Sequence, residues 1–399
     1  MRAACGLAEL GIACAIGTSA TEVWPRLIAG DTSGLRERPD LLPDFSHVVG
    51  AVEAPLPKPM DALREFECRN NQLALLAFEQ IVGAVEDTKS RVGADRIGVV
   101  VGTSTSGIAA AELAFHQRRS CGELGERFTL KQLEHGGLGE FVSRIAGATG
   151  LQYTISTACS SSAKALASAR SLLALGLCDA VIAGGVDSLC ASTAFGFSAL
   201  QAVARDITNP MSRNRDGLTL GEAAALFLVT RDFDAIQLGG VGESSDAHHM
   251  SAPDPSARGV AACMRSALRD AGLEATGIAY LNLHGTGTEL NDRSESHAIE
   301  EVFEAMPLCS STKPLVGHTL GASGALEAAF CWLMLDNAED GMLSAPPHRF
   351  DGVLDPTLAP LPLVVPGCRI RSDGSIAVMS NSFGFGGSNC SLILTRGRS

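Results

Sequence analysis

Two strand-to-loop units and two strand-to-helix units recur along this chain. Ile97-Gly-Val-Val-Val-Gly-Thr-Ser-Thr105 is similar to Ala279-Tyr-Leu-Asn-Leu-His-Gly-Thr-Gly-Thr288: a buried strand, then Gly-Thr-x-Thr. Tyr153-Thr-Ile-Ser-Thr-Ala-Cys159-Ser-Ser-Ser-Ala-Lys-Ala-Leu166 has a partner in Pro314-Leu-Val-Gly-His318-Thr-Leu-Gly-Ala-Ser-Gly-Ala-Leu-Glu-Ala-Ala329. In each, a reactive side chain stands just before a small-residue helix. A chain built this way is confined to α/β layers, with two halves of one topology joined near Asp232 to Gly240. The remaining periodicity agrees. Val99–Gly102, Ala180–Ala183 and Ala279–Leu283 read as buried strands, and 69–84, 160–175 and 259–271 as helices. Asp355-Pro-Thr-Leu-Ala-Pro-Leu-Pro-Leu-Val-Val-Pro366 reads as a surface loop, because proline removes donors and blocks helix.

Composition removes several function classes. A net charge of -13 on 399 residues argues against a general nucleic-acid binder. No stretch reaches the ~18 apolar residues needed to span a bilayer. Glu9 interrupts the apolar start, which reads as a first strand and Gly turn rather than a signal peptide. The 12 cysteines are scattered, without CxxC or Cys/His zinc spacing. Buried reduced thiols in a cytoplasmic protein are the expectation.

Three positions carry candidate chemistry. Cys159 falls at a helix start, where the partial positive charge favours thiolate. Ser160, Ser161 and Ser162 keep the space beside it open to a ligand. His284 ends a buried strand in front of Gly285 and Thr286. His318 sits among glycines, with Lys313 shortly before it. Each also fits a structural role: a packed helix-start cysteine, a core histidine, a surface histidine at a helix entry. Asn381-Ser-Phe383-Gly-Phe385-Gly-Gly-Ser-Asn389 is a glycine-rich loop before a last strand, and lacks the lysine and helix of a phosphate cradle.

Taken together and in this order, these segments resemble the β-ketoacyl-[acyl carrier protein] synthases. The resemblance covers almost the whole chain, from Gly11-Ile-Ala-Cys-Ala-Ile-Gly17 and Trp24-Pro-Arg-Leu-Ile-Ala-Gly30 to Phe383-Gly-Phe-Gly-Gly-Ser-Asn389. It implies a thiolase-like five-layer αβαβα fold with two pseudo-symmetric halves, 1–235 carrying the nucleophile and 236–399 carrying both histidines. It implies Cys159 as the acyl acceptor, His284 and His318 as the decarboxylation and oxyanion site, and Lys313 in support with Glu295 as its acidic partner. The backbone N–H groups of Cys159 and Phe385 would form the oxyanion hole. Thr286 and Thr288 would hold the pantetheine arm. Asn282, Glu327 and Asn389 match positions around a structural cation in some members; no catalytic metal and no cofactor is implied beyond the carrier's phosphopantetheine. Acyl carrier protein is the implied partner. A homodimer, or a heterodimer with a chain-length-factor-like subunit, is the implied assembly.

The chemistry explains the residue types. Loss of CO₂ from a malonyl thioester leaves an enolate, whose oxygen is stabilised by two neutral imidazole donors and opposed by a carboxylate. Two departures bear on the substrate. Glu289 follows Thr288 where many members carry proline, and Leu218 stands where fatty-acid synthases of this group often have an aromatic. Together with Ser160-Ser161-Ser162 they resemble synthases of dedicated polyene or polyketide pathways, which favours elongation of aryl-polyene type over ordinary fatty-acid elongation. Phe383, Phe385 and Leu218 are the candidates for gating the acyl pocket. Arg118, Arg119, Arg127 and Lys131 are the candidate carrier-docking cluster.

Overall fold

The computed structural model describes residues 5–41, 47–125, 127–232, 236–371 and 376–397. Ten strands make one sheet. From one edge they run Gln152–Ile155, Ile97–Gly102, Ala180–Asp187, Ala223–Thr230 and Cys5–Ala13. Then follow Ile236–Ser245, Ser388–Arg396, Ile376–Gly384, Tyr280–Asn282 and Leu308–Ser310. Numbered along the chain, each group of five reads 3-2-4-5-1 from its outer edge. Each has two parallel pairings followed by two antiparallel ones. The repeat suspected from the Gly-Thr motifs is therefore a repeat of topology. The two groups join through their first strands, Cys5–Leu7 antiparallel to Ile236–Leu238.

Five layers follow from which face each helix buries. Arg69–Val92 and His135–Ala146 cover the outer face of the first half. Arg258–Ala271 and Glu289–Val302 cover that of the second. Ser161–Ala174 and Ser323–Asp336 lie between, in a core shared by both halves. Small residues at this crossing let the central helices touch: a Cβ on Gly324 would stand 2.7 Å from the Ala163 Cβ. The expected helices and strands are present, with ends moved. Arg69–Val92 runs past Ala84 because Val85 and Thr88 continue the buried stripe while Glu86 and Asp87 face solvent. Ala180–Asp187 runs past Ala183 across two glycines. The segment 355–366 forms no helix or strand, as its prolines dictate. Among the described residues no helix is long and apolar enough to cross a membrane. Of the cysteines, ten are buried, Cys368 is partly buried and Cys121 is exposed.

Candidate active site

The chain reaches Cys159 through a sharp turn. Ala158 adopts φ 52°, a conformation that few non-glycine residues take. The following serines hold that turn rather than open it. Ser161 Oγ donates to Ala158 O at 2.6 Å and accepts from Thr157 N–H at 2.8 Å. Ser162 Oγ accepts from Ala325 N–H at 2.8 Å, on the neighbouring central helix. All three serines are fully buried, so the expected free space beside the thiol comes from elsewhere.

That space is a cavity of about 390 Å³, whose lining includes Cys159, His284, His318, Thr286, Thr288 and Phe385. Cys159 Sγ lies 2.9 Å from His318 Nε2. The His284 and His318 rings meet edge-on with centroids 5.3 Å apart. Both imidazoles stay neutral: burial drives their pKa well below the ordinary value, and the nearby Lys313 charge adds to it. The Cys159 thiol is pushed up to about 11 by burial, with the Lys313 charge and the Phe385 N–H opposing. In the resting pocket, desolvation outweighs the helix-start effect that the sequence suggests. His318 Nε2 stands where it can take the thiol proton during attack.

Lys313 is wholly buried. Its ammonium pairs with Glu327, donates to the His284 carbonyl and lies 3.4 Å from His284 Nδ1. Its direct carboxylate partner is thus Glu327, whereas the family resemblance implies Glu295 in that place. Glu295 instead accepts from the N–H groups of His284 and Gly285, both at 2.7 Å. It fixes the strand end that carries His284, and burial raises its pKa to about 7. Thr286 and Thr288 face the cavity with hydroxyls 2.9 Å apart. Phe383 packs edge-on to His284 at 5.9 Å. Phe385 is 38% exposed, and its ring lies 5.6 Å from Phe197. Leu218 is buried on the cavity wall.

Cys159, His284 and His318 also form a set of three metal-ligand atoms within 4.8 Å of one another. The Lys313 ammonium beside His284 opposes a cation at that point. The cation triad separates. Asn282 Oδ1 and Glu327 Oε2 are buried without a partner among the described residues. Asn389 bonds to Ser244 and Asp246 instead, the latter at 2.7 Å. In the docking cluster Lys131 is already paired with Glu140, while Arg118, Arg119 and Arg127 are exposed.

Two residues escaped the sequence reading. Phe197 gave no signal, lying in a segment without clear periodicity. Asp187 had one: a lone carboxylate ending an apolar strand. It is fully buried and accepts from the hydroxyls of Thr103 and Thr105, each at 2.7 Å, and from Ala322 N–H at 3.2 Å.

A duplicated α/β scaffold with a buried cysteine and two neutral histidines at its seam defines a condensing acyltransferase. Residues 62–235 match the beta-ketoacyl synthase N-terminal domain and 236–339 the C-terminal domain. The chain belongs to the beta-ketoacyl synthase family. It is 33% identical to 3-oxoacyl-[acyl-carrier-protein] synthase 1 of Haemophilus influenzae, over 97% of each chain. Among solved structures it is similar to a ketosynthase from Xenorhabdus doucetiae, in complex with its chain length factor. That match has TM-score 0.91 and 40% identity, covering 98% of this chain and 97% of that one. The ishigamide ketosynthase/chain length factor aligns at TM-score 0.88 and 27% identity, over 99% and 100% of the two chains.

Proposed function

We propose that the chain elongates carrier-bound acyl groups by decarboxylative Claisen condensation. The observation that carries this reading is the Cys159 thiol at 2.9 Å from His318, with a second neutral imidazole beside it. Cys159 attacks the acyl-carrier thioester and the carrier leaves as a thiol. The Phe385 N–H already points at this sulfur and, with the Cys159 N–H, receives the oxyanion. Such donors typically contribute ~3 kcal/mol each in the transition state. Malonyl-carrier follows, with Thr286 and Thr288 binding its pantetheine arm. As CO₂ leaves, His284 and His318 donate to the enolate oxygen. The carbanion attacks acyl-Cys159, forming a carbon–carbon bond and releasing the sulfur. Lys313 orients His284 through Nδ1 and the carbonyl. Glu327 serves as the counter-charge of Lys313, whose ammonium opposes a structural cation at that carboxylate.

The halves 1–235 and 236–399 act as two units that share this site. The assembly reading rests on the first outer edge. The strand Gln152–Ile155 is paired on one side among the described residues. Tyr153 is exposed on it and Leu151 just before it, as are Leu113, Phe115 and Phe195 on the helices Ile108–Cys121 and Ala191–Ala199. An unpaired edge and exposed apolar side chains are each docking templates. A second ketosynthase-like subunit fits there, either another copy or a chain-length-factor-like partner.

Similarity to a ketosynthase that works with a chain length factor, together with Leu218 on the cavity wall, favours a specialised polyene or polyketide pathway. Intact mass after incubation with a panel of acyl-carrier substrates tests both points. Retention of unsaturated or aryl acyl groups on Cys159 supports this reading, and exclusive labelling by saturated fatty acyl groups refutes the pathway. The same measurement with and without a co-expressed partner settles the subunit requirement.

A further inference from the structure

The Thr286–Thr288 wall and His318 come from different loops, and a third segment, 217–221, ties them together. Gly217 N–H donates to Gly287 O at 3.1 Å. Two residues on, Thr219 O accepts from His318 N–H at 2.6 Å, and Gly221 N–H donates back to His318 O at 3.0 Å. Leu218 between them is pinned to Ala202 and Ala204 through its own N–H and carbonyl, at 2.8 and 2.9 Å.

Thr208 locks this strap. It is buried, and its hydroxyl lies 2.8 Å from Gly217 O and 2.7 Å from Thr286 O. One hydroxyl carries one proton, so the two carbonyls share it. Its N–H donates to Thr219 Oγ1 at 2.9 Å. The fit is close: Gly287 has φ 76°, and a Cβ there would fall 2.2 Å from Thr208 Oγ1.

We propose that Thr208 is a positioning residue, holding the pantetheine-facing wall in register with His318 by clasping the Gly217 and Thr286 carbonyls. The inference rests on the reading of Thr286 and Thr288 as pantetheine ligands. Thr208 touches no reacting atom. It acts on the part of the substrate that threads between the loops.

Two thioesters of one acyl group test it: one on carrier phosphopantetheine, one on N-acetylcysteamine, which lacks most of that arm. T208V should raise KM for the carrier thioester about tenfold, the scale of one lost hydrogen bond. It should leave kcat, and KM for the short thioester, within about twofold. T208S should restore wild-type values. An equal loss with both thioesters, or a T208S variant as impaired as T208V, overturns the proposal. If T208V does not fold, T208A must show the same selective rise. A wild-type enzyme with one KM for both thioesters overturns the pantetheine reading and this inference with it. A wild-type preference that T208V retains overturns the inference alone.

Discussion

The two halves share strand order and direction, yet their matching turns hold different things. Ahead of Ser161–Ala174 the chain passes Ala158 at φ 52° and then presents Cys159 to the cavity. Ahead of Ser323–Asp336 it passes Leu320, also at φ 52°, and reaches Gly321. Each left-handed residue stands three positions before its helix. A Cβ on Gly321 would lie 2.6 Å from Ser104 Oγ and 2.8 Å from Asp187 Oδ2, so that turn faces a packed polar wall. The asymmetry runs the other way for the bases. His284, Lys313 and His318 come from the second half, while the first half commits its Thr103-Ser-Thr105 loop to Asp187. Duplication supplied two equivalent elbows, and the seam needs only one nucleophile. One half gives the bond-forming atom; the other gives the groups that manage charge.

The largest expected effect tests that division directly. Cys159→Ala should remove the acyl label by mass spectrometry and cut condensation by at least about a thousandfold, with an unchanged circular-dichroism spectrum. Cys159→Gln should still release CO₂ from malonyl-carrier, because that step belongs to the second half. If decarboxylation vanishes with the thiol, the halves do not divide the work. Next in size, His284→Ala or His318→Ala should each slow CO₂ release by roughly 10²–10³-fold, the scale for losing one oxyanion donor.

Stability sharpens the comparison at the other elbow. Gly321→Ala should destabilise the protein by about 1–3 kcal/mol in denaturant melts, since its Cβ meets Ser104 and Asp187. An unshifted melt would show that the second turn has room for a side chain. Acid should weaken the fold through the second half's histidines. His284, His318 and His348, the last held near 4, are neutral in the folded chain, while an unfolded histidine takes up a proton near ~6.5. At these histidines the unfolded state then binds more protons, so their share of the stability, read as melting temperature, should be lost as pH drops from 6.5 toward 4, against the opposite contribution of the buried Asp187, Asp292 and Glu327, all raised by burial. Glu295, raised to about 7, works oppositely above its ordinary value, and H348Q should flatten the acid slope. The smallest effect is at the cavity mouth. Phe197→Ala removes a ring pair worth about 1 kcal/mol and should change acyl preference by a few-fold in competition assays.

Most of the scaffold was legible because its signals are local. Strand and helix periods, the Gly-Thr motifs and the small-residue helix starts each lie within a short window, and they carry the topology. The catalytic trio was legible for the same reason, each member sitting in its own motif. Partnerships across the chain were not. Nothing near Lys313 shows that its carboxylate is Glu327 rather than Glu295, since helix placement decides it. Asn389 matches a motif position, yet its side chain turns to Asp246, just past the end of the neighbouring strand Ile236–Ser245. The thiol's environment was misjudged for a related reason: a helix start is visible in sequence, whereas complete burial depends on parts far away in the chain.

The central position of the Cys5–Ala13 strand has a consequence for how the chain is made. Its partners, Ala223–Thr230 and Ile236–Ser245, lie far along the chain from it. The intervening chain must be synthesised before that strand can pair on either side. Such non-local pairing slows folding and leaves an apolar edge open to mispairing. Throughout that interval the future centre of the sheet stays unpaired.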